Sequence, residues 1–176
     1  MSRQILHRGR KIQVALETTV LSNGHTIQRD VILHPGAVAI LPLLEDGKVC
    51  LVRNHRPAVE DTLLEIPAGT LEPGEAPEAA AVRELAEETG YQAGSWRKLT
   101  VFAPSPGLLS ELTHLYVAQE LRPGTMHPEQ DEELEPTVVT LDQALAWVLD
   151  GTIRDAKTII AMLWWNHRGE RGASAP

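Results

Sequence analysis

The sequence has few cysteines and no long apolar run, and these shortages exclude several classes of protein. Its single cysteine, Cys50, cannot form an internal disulfide, and in the strand-like stretch KVCLVR we expect it to be a small buried apolar residue. The longest apolar run, 37–44, is broken by Pro42 and is much shorter than the ~20 residues that a membrane helix needs. The N-terminus has no long apolar core followed by a cleavage site. We therefore expect a cytoplasmic protein without membrane association.

Basic residues are also scarce relative to acidic ones. The chain has 24 Asp and Glu against 16 Lys and Arg, a formal net charge of −8. Nucleic-acid binding depends on basic surface, so this balance argues against it, although it does not exclude small anionic substrates. A length of 176 residues with 43% hydrophobic residues suits one domain with a real core.

One stretch, Gly69–Tyr91, carries most of the information: GTLEPGEAPEAAAVRELAEETGY. Pro77 suits the first position of a helix and Gly90 suits its end, so the pattern predicts a helix over 76–89. Glu84 and Glu88 are one turn apart on this helix, with Glu87 beside them. We expect the opposite, apolar face to pack on a sheet; it consists of Ala79, Val82, Leu85 and Ala86.

Three carboxylates on one helix edge repel one another by a few tenths of a kcal/mol per pair, so helix propensity does not explain them. One interpretation is a solvated helix face in which Arg83 and Glu87 form an ordinary surface pair. The other is a site for a hard divalent cation such as Mg²⁺ or Mn²⁺, which binds carboxylate oxygens and substrate phosphates together.

The whole stretch resembles the signature motif of the Nudix hydrolases, and Tyr91 in the final aliphatic slot is its one departure. The resemblance implies that Glu84, Glu87, Glu88 and the backbone carbonyl of Ala68 hold Mg²⁺, with Mn²⁺ as a substitute. It also implies catalytic roles for Arg83, which would orient the glutamates, and for Glu87. The residues that match the motif are Gly69, Glu75, Arg83, Glu84, Leu85, Glu87, Glu88 and Gly90.

The rest of the chain reads as a β-rich first half and a helical end. We predict strands over 3–8, 12–20, 26–33, 37–44, 48–53, 95–103, 112–119 and 138–139, and helices over 141–149 and 155–167. Residues 37–44 and 48–53 would form a hairpin covered on both faces. We assign 1–36 to a β-rich segment that either caps the core or pairs with a second subunit, 37–168 to the Nudix domain, and 169–176 to a disordered tail.

Two further groups are candidates for substrate binding. Arg53 and Arg56, which we expect just past a strand end, could bind phosphates near the motif, whereas without the motif two surface arginines would be the simpler interpretation. The Ser-Pro-Gly loop that contains Pro106 and Gly107 follows Gly90 at a spacing that resembles the ADP-ribose pyrophosphatase branch of the family.

The acidic stretch 129–135 lacks helical or strand periodicity. It is either a solvated loop or, beside a metal site, the source of a further ligand or a general base. The resemblance implies a catalytic glutamate from this loop, and we assign it to Glu132 or a neighbouring acid.

Together these features predict an α/β/α sandwich with a mixed sheet and an N-terminal β-rich extension. The resemblance implies hydrolysis of a nucleoside diphosphate sugar, and the expected substrate is ADP-ribose, which gives AMP and ribose 5-phosphate. It also implies a homodimer whose subunits exchange N-terminal strands. Residues 1–36 contain no Phe, Tyr or Trp to stack the base. The alternatives are a GDP-sugar or other nucleoside diphosphate substrate, a non-catalytic nucleotide sensor, and a structural partner for a basic protein.

Overall fold

The computed structural model describes residues 1–128 and 133–169. The strands are β1 Ser2–Arg8, β2 Gln13–Val20, β3 Thr26–Leu33, β4 Ala37–Pro42, β5 Lys48–Arg56, β6 Asp61–Glu65, β7 Ala68–Thr70, β8 Tyr91–Phe102, β9 Thr113–Pro123 and β10 Leu134–Thr140. The helices are α1 Pro77–Thr89, α2 Leu141–Asp150 and α3 Ala156–Gly169, with a 3₁₀ turn at Pro57–Val59. No helix in the described part of the chain is long and apolar enough to cross a membrane.

The strands form three sheets. A mixed sheet has the order β7-β4-β9-β8, in which β4 and β9 are parallel. An antiparallel sheet has the order β10-β5-β6, and the N-terminal strands form a separate antiparallel sheet β1-β2-β3. The predicted hairpin of residues 37–44 and 48–53 is therefore wrong as a paired unit. Only Leu43 and Val49 bridge, because β4 and β5 diverge into different sheets.

The core lies on both faces of the mixed sheet. On one face, Val38 and Ile40 of β4 pack with Ala80, Ala81 and Leu85 of α1. The other face packs against β5, β6 and the helices α2 and α3, and its buried residues include Ala39, Leu41, Leu51, Leu115 and Met162. Alternate residues of β4 thus enter two cores, as its continuous apolar sequence predicts. The predicted α/β/α sandwich is confirmed.

Cys50 is fully buried on β5, and burial raises the pKa of its thiol to about 12. The predicted small apolar role fits this environment, in which a thiolate is disfavoured.

The N-terminal sheet is joined to the rest of the chain along β3. Ile32 forms a β-bridge with Leu109. The Ile32 amide donates to the Leu108 carbonyl at 2.8 Å, and the Ile32 carbonyl accepts from the Ser110 amide at 2.9 Å. The amide of Ala37 donates to the carbonyl of Leu112 at 3.0 Å. The loop after β8 therefore connects the N-terminal sheet to the rest of the chain through backbone hydrogen bonds.

The C-terminal tail was predicted to be disordered over 169–176. Helix α3 extends through Gly169, and residues 170–176 lie outside the described residues.

Candidate active site

Helix α1 turns two of its glutamates toward the protein interior. Glu84 is 7% exposed and Glu88 is 1% exposed, and they share the buried face of the helix with Leu85. The predicted apolar face is wrong, since Ala79 is exposed and Val82 is 48% exposed. The helix is rotated so that the carboxylates, and not Val82, face the body of the protein. Solvation alone does not account for two buried carboxylates, so the interpretation as an ordinary solvated face fails for this pair.

The buried glutamates lie against the short strand β7. Pairing with β4 brings Ala68 opposite Ala39 and Gly69 opposite Val38. The Ala68 amide donates to Oε2 of Glu88 at 3.1 Å. A Cβ atom on Gly69 would overlap the carboxylate of Glu84, so only glycine leaves room for that group. The backbone of β7 and the two carboxylates therefore form one compact cradle.

Arg83 joins the carboxylates of the motif into a network. Its Nε and Nη2 bind the two carboxylate oxygens of Glu75 at 2.9 and 3.0 Å, while Nη1 donates to Glu84 at 2.7 Å and to Glu87 at 3.0 Å. The hydrogen bonds to Glu75, with the charge of Glu84, raise the pKa of Arg83 further. In return the Arg83 guanidinium lowers the pKa of Glu75. Arg83 thus fixes three carboxylates, which is the orienting role that the motif implies.

The donor set fits a hard divalent cation. Glu84 and Glu88 are buried one turn apart, and carboxylate oxygens with water and phosphate complete the shell that Mg²⁺ prefers. Residues 1–128 and 133–169 contain no group of three or more His, Cys, Asp or Glu side chains placed to hold an ion by themselves. Glu87 turns toward Arg83 and its side chain is 34% exposed. The two buried glutamates are therefore the principal ligand candidates.

A cavity of about 700 Å³ opens beside this cradle. Ala68, Gly69, Arg83 and Glu84 form one wall, and Arg56 also borders it. The N-terminal segment, from which contacts to the base were considered, supplies six further lining residues: Arg10, Lys11, Gln13, Leu33, His34 and Pro35. Among the described lining residues none is Phe, Tyr or Trp.

A model of the NUDIX domain matches residues 33–162. The chain belongs to the Nudix family. The predicted membership is confirmed, and the geometry above is that of the family's signature helix and the glycine strand before it. Nudix hydrolases are generally dependent on divalent metal ions.

Relatives of this Nudix hydrolase carry several names. An ADP-ribose pyrophosphatase of Bacillus subtilis (strain 168) is 41% identical over 92% of this chain and 89% of the relative. A methanol dehydrogenase activator of Bacillus methanolicus is 40% identical over 88% of this chain and 84% of the relative. A GDP-mannose pyrophosphatase of Citrobacter koseri is 37% identical over 72% of this chain and 71% of the relative.

A solved structure described as an ADP compounds hydrolase aligns with a TM-score of 0.85, covering 99% of this chain and 95% of the other. At 24% identity this likeness establishes the fold.

Of the two predicted arginines, the structure brings only Arg56 to the cavity. Both lie within β5, not past its end, because the strand extends to Arg56. Neighbouring strands pair Arg53 with Glu135, and Arg53 borders a separate depression with His55, Thr62 and Glu133. Since side chains alternate along a strand, Arg53 and Arg56 project from opposite faces of β5.

The sequence analysis did not predict the ion-pair partner of Arg56, which lies outside the Nudix motif. Glu65 at the end of β6 is 1% exposed and binds Nε and Nη2 of Arg56 at 2.8 and 2.6 Å. These bonds to Glu65 raise the pKa of Arg56 against the effect of burial. The signal was present in the sequence as a charged residue inside the apolar run Leu63–Ile66, where an acid must be paired.

The remaining predicted residues lie elsewhere. Pro106 and Gly107 are in an exposed turn closed by hydrogen bonds from the Leu108 and Leu109 amides to the Ser105 carbonyl, and neither borders the cavity. Glu132 lies outside the described residues, so its role as general base stays a prediction. Residues 134 and 135 begin β10, so the stretch predicted to lack regular structure ends in a strand.

Proposed function

We propose that this Nudix hydrolase cleaves the pyrophosphate of a nucleoside diphosphate sugar, with ADP-ribose as the substrate. Water adds to one phosphorus, the bond from that phosphorus to the bridging oxygen breaks, and the products are AMP and ribose 5-phosphate. The observation that carries the proposal is the burial of Glu84 and Glu88 together against Gly69 at the edge of a large cavity. The similarity to an ADP-ribose pyrophosphatase over 92% of the chain supports the substrate.

In this proposal Glu84 and Glu88, with the Ala68 carbonyl and Glu87, hold Mg²⁺, and Mn²⁺ can replace it. The chemistry that such an ion supplies is neutralisation of phosphate charge and activation of water. Arg83 keeps the carboxylates oriented, Arg56 binds a phosphate, and Glu132 or a neighbouring acid accepts the proton of the attacking water. Arg53, Pro106 and Gly107 retain predicted substrate contacts, although none of them borders this cavity.

The N-terminal side of the cavity suits the distal parts of the substrate. Arg10 and Lys11 supply positive charge, while Leu33, His34 and Pro35 supply apolar or planar surface for a base. With no Phe, Tyr or Trp in this lining, the guanidinium of Arg10 and the ring of His34 are the groups that stack best on adenine.

We further propose that the protein is a cytoplasmic homodimer that binds neither nucleic acid nor membrane. The net charge of −8 supports the absence of nucleic-acid binding. Apolar side chains exposed on the N-terminal sheet, such as Leu6 at 52% and Val20 at 63%, support an interface within 1–36. Multi-angle light scattering of the full chain tests the assembly, and a monomer at micromolar concentration would contradict it.

The function is tested by product release from ADP-ribose, GDP-mannose, NADH and nucleoside triphosphates, each with Mg²⁺, Mn²⁺ or EDTA. We expect metal-dependent release of AMP from ADP-ribose well above the other compounds. A preference for GDP-mannose, the substrate named for a 37% identical relative, would retain the chemistry and replace the substrate. No turnover of any compound would favour the alternative of a non-catalytic nucleotide sensor.

A further inference from the structure

A partly buried network of four charges joins Arg56 to three side chains that do not border the cavity. It contains two cations, Arg56 and Lys157, and two carboxylates, Glu65 and Asp155, so its formal charge is zero. Lys157 Nζ donates to Glu65 Oε2 at 3.1 Å and to Asp155 Oδ1 at 2.7 Å. Lys157 and Glu65 are 92 residues apart in sequence, and their contact links helix α3 to Arg56 through Glu65.

The ion pair with Glu65 leaves part of Arg56 available to the cavity. Glu65 uses Nε and Nη2 of the guanidinium, so both N–H groups of Nη1 remain outside this pair. The Arg56 side chain is 40% exposed, whereas that of Glu65 is 2% exposed. Glu65 is therefore a buried anchor, and the orientation of its carboxylate sets the direction of the guanidinium.

Lys157 in turn fixes the carboxylate of Glu65. Burial alone would lower the pKa of Lys157, but the charges of Asp155 and Glu65 outweigh burial and raise it, so the ammonium stays charged. Asp155 is held by the Thr158 hydroxyl at 2.6 Å and the Thr158 amide at 2.9 Å. The Thr158 hydroxyl also accepts a hydrogen bond at 2.8 Å from the amide of Ile66, which lies three residues before Gly69. The N-terminal turn of α3 is thus bonded to the end of β6 at two points.

We propose that Lys157 is a positioning residue that acts through Glu65 to hold the Arg56 guanidinium toward a substrate phosphate. The inference deepens the proposed function and rests on it, since Arg56 must bind substrate. Without Lys157 the network carries one excess negative charge, and Arg56 faces Glu65 and Asp155 as the only remaining cation of the four. The two carboxylates then attract the guanidinium inward, away from the cavity.

The test is a double-mutant cycle of Lys157→Met and Arg56→Ala, measured by steady-state kinetics with ADP-ribose. Arg56→Ala is expected to raise KM about 10-fold or more through loss of a charged hydrogen bond. Lys157→Met is expected to raise KM about 5-fold or more with kcat within about 2-fold of wild type. In the Arg56→Ala background, Lys157→Met should leave KM unchanged, although the melting temperature still falls.

The matched control is Lys48→Met at the opposite end of β5, where an exposed lysine pairs with Asp46. It should change neither KM nor kcat. A further rise of KM for Lys157→Met in the Arg56→Ala background, or an unchanged KM in a folded single variant, would overturn the proposal. If Lys157→Met does not fold, Lys157→Gln keeps a hydrogen bond without the charge and is expected to raise KM in the same way.

A second readout separates this inference from the substrate assignment. Calorimetric binding of ADP with EDTA present measures protein contacts to phosphate without turnover or metal. Lys157→Met should weaken ADP binding about 5-fold or more, and only when Arg56 is present. Failure of wild type to hydrolyse ADP-ribose would reject the proposed function, whereas equal ADP affinity in wild type and Lys157→Met would reject the positioning role.

Discussion

The carboxylate of Glu84 occupies the space that a Cβ atom on Gly69 would fill. This relationship explains the glycine of the motif without reference to a turn, because Gly69 lies inside strand β7 and is not at a position of positive φ. The small residue permits a buried carboxylate to approach the backbone, and any larger residue must displace it.

Gly69→Ala is expected to lower kcat/KM about 10²-fold, since a shift of about 1 Å in a reacting constellation has that effect. The matched control is Gly24→Ala in the turn between β2 and β3, where φ is +84° and nothing lies within 4 Å of the added Cβ. The control should lose stability through backbone strain and keep its activity. Equal activity of Gly69→Ala and wild type would show that Glu84 moves without consequence.

Glu84→Gln and Glu88→Gln are each expected to lower kcat/KM about 10²-fold or more while the fold persists. In Glu88→Gln the amide oxygen can still accept from the Ala68 amide, and in Glu84→Gln it can still accept from Nη1 of Arg83, but neither amide carries a charge for a cation. Circular dichroism and Mg²⁺ titration calorimetry should show intact secondary structure and reduced metal affinity. Glu78→Gln, an exposed change in the first turn of the same helix, is the control and should retain wild-type kinetics.

The lowered pKa of Asp155 leads us to expect that the free energy of unfolding depends on pH. Burial opposes its ionisation, yet the ion pair with Lys157 and the hydrogen bonds from Thr158 outweigh burial and lower the pKa of Asp155 from its usual value. A carboxyl whose folded-state pKa is depressed stabilises the protein above its unfolded pKa and loses that contribution as pH falls through its folded pKa.

We therefore expect the free energy of unfolding in urea to fall between about pH 5 and pH 3. In Lys157→Met the pKa of Asp155 rises, so the stability difference from wild type should shrink as pH falls. A difference that is constant from pH 6 to pH 3 would contradict this account.

Glu132→Gln is expected to lower kcat about 10²-fold or more if Glu132 is the general base. Metal affinity and KM should change little, because the change affects proton transfer. Glu129→Gln and Glu133→Gln are the neighbouring controls. If kcat falls in one of them instead, the general base was assigned to the wrong residue of the acidic stretch.

The motif itself was readable in the sequence because its spacing encodes local geometry. Pro77 begins α1 and Gly90, with φ of +72°, ends it. Glu84 and Glu88 share a face because the helical period places residues four apart one above the other. The β2-β3 hairpin likewise follows from the Ser22–His25 turn chemistry, and its strand β3 spans Thr26–Leu33 as predicted.

Which face of α1 is buried was decided by tertiary structure. Helix α1 carries small apolar residues on more than one face. By sequence alone, the face with Ala79 and Val82 was therefore as plausible a buried face as the one with Ala80 and Ala81. The choice depends on the position of β7, where Gly69 leaves room for Glu84 and the Ala68 amide binds Glu88. No periodicity within the helix carries that information.

Sequence by itself determined the family, the signature helix and its carboxylates, since these depend on residue type and on spacings of a few residues. Only the tertiary structure placed Arg56 at the cavity and Arg53 on the other face of β5, and joined Glu65 to Lys157. It also brought Arg10 and Lys11 to the cavity. The physical reason is distance along the chain: pairings between strands and helices far apart in sequence depend on the packing of the whole core, which local patterns do not record.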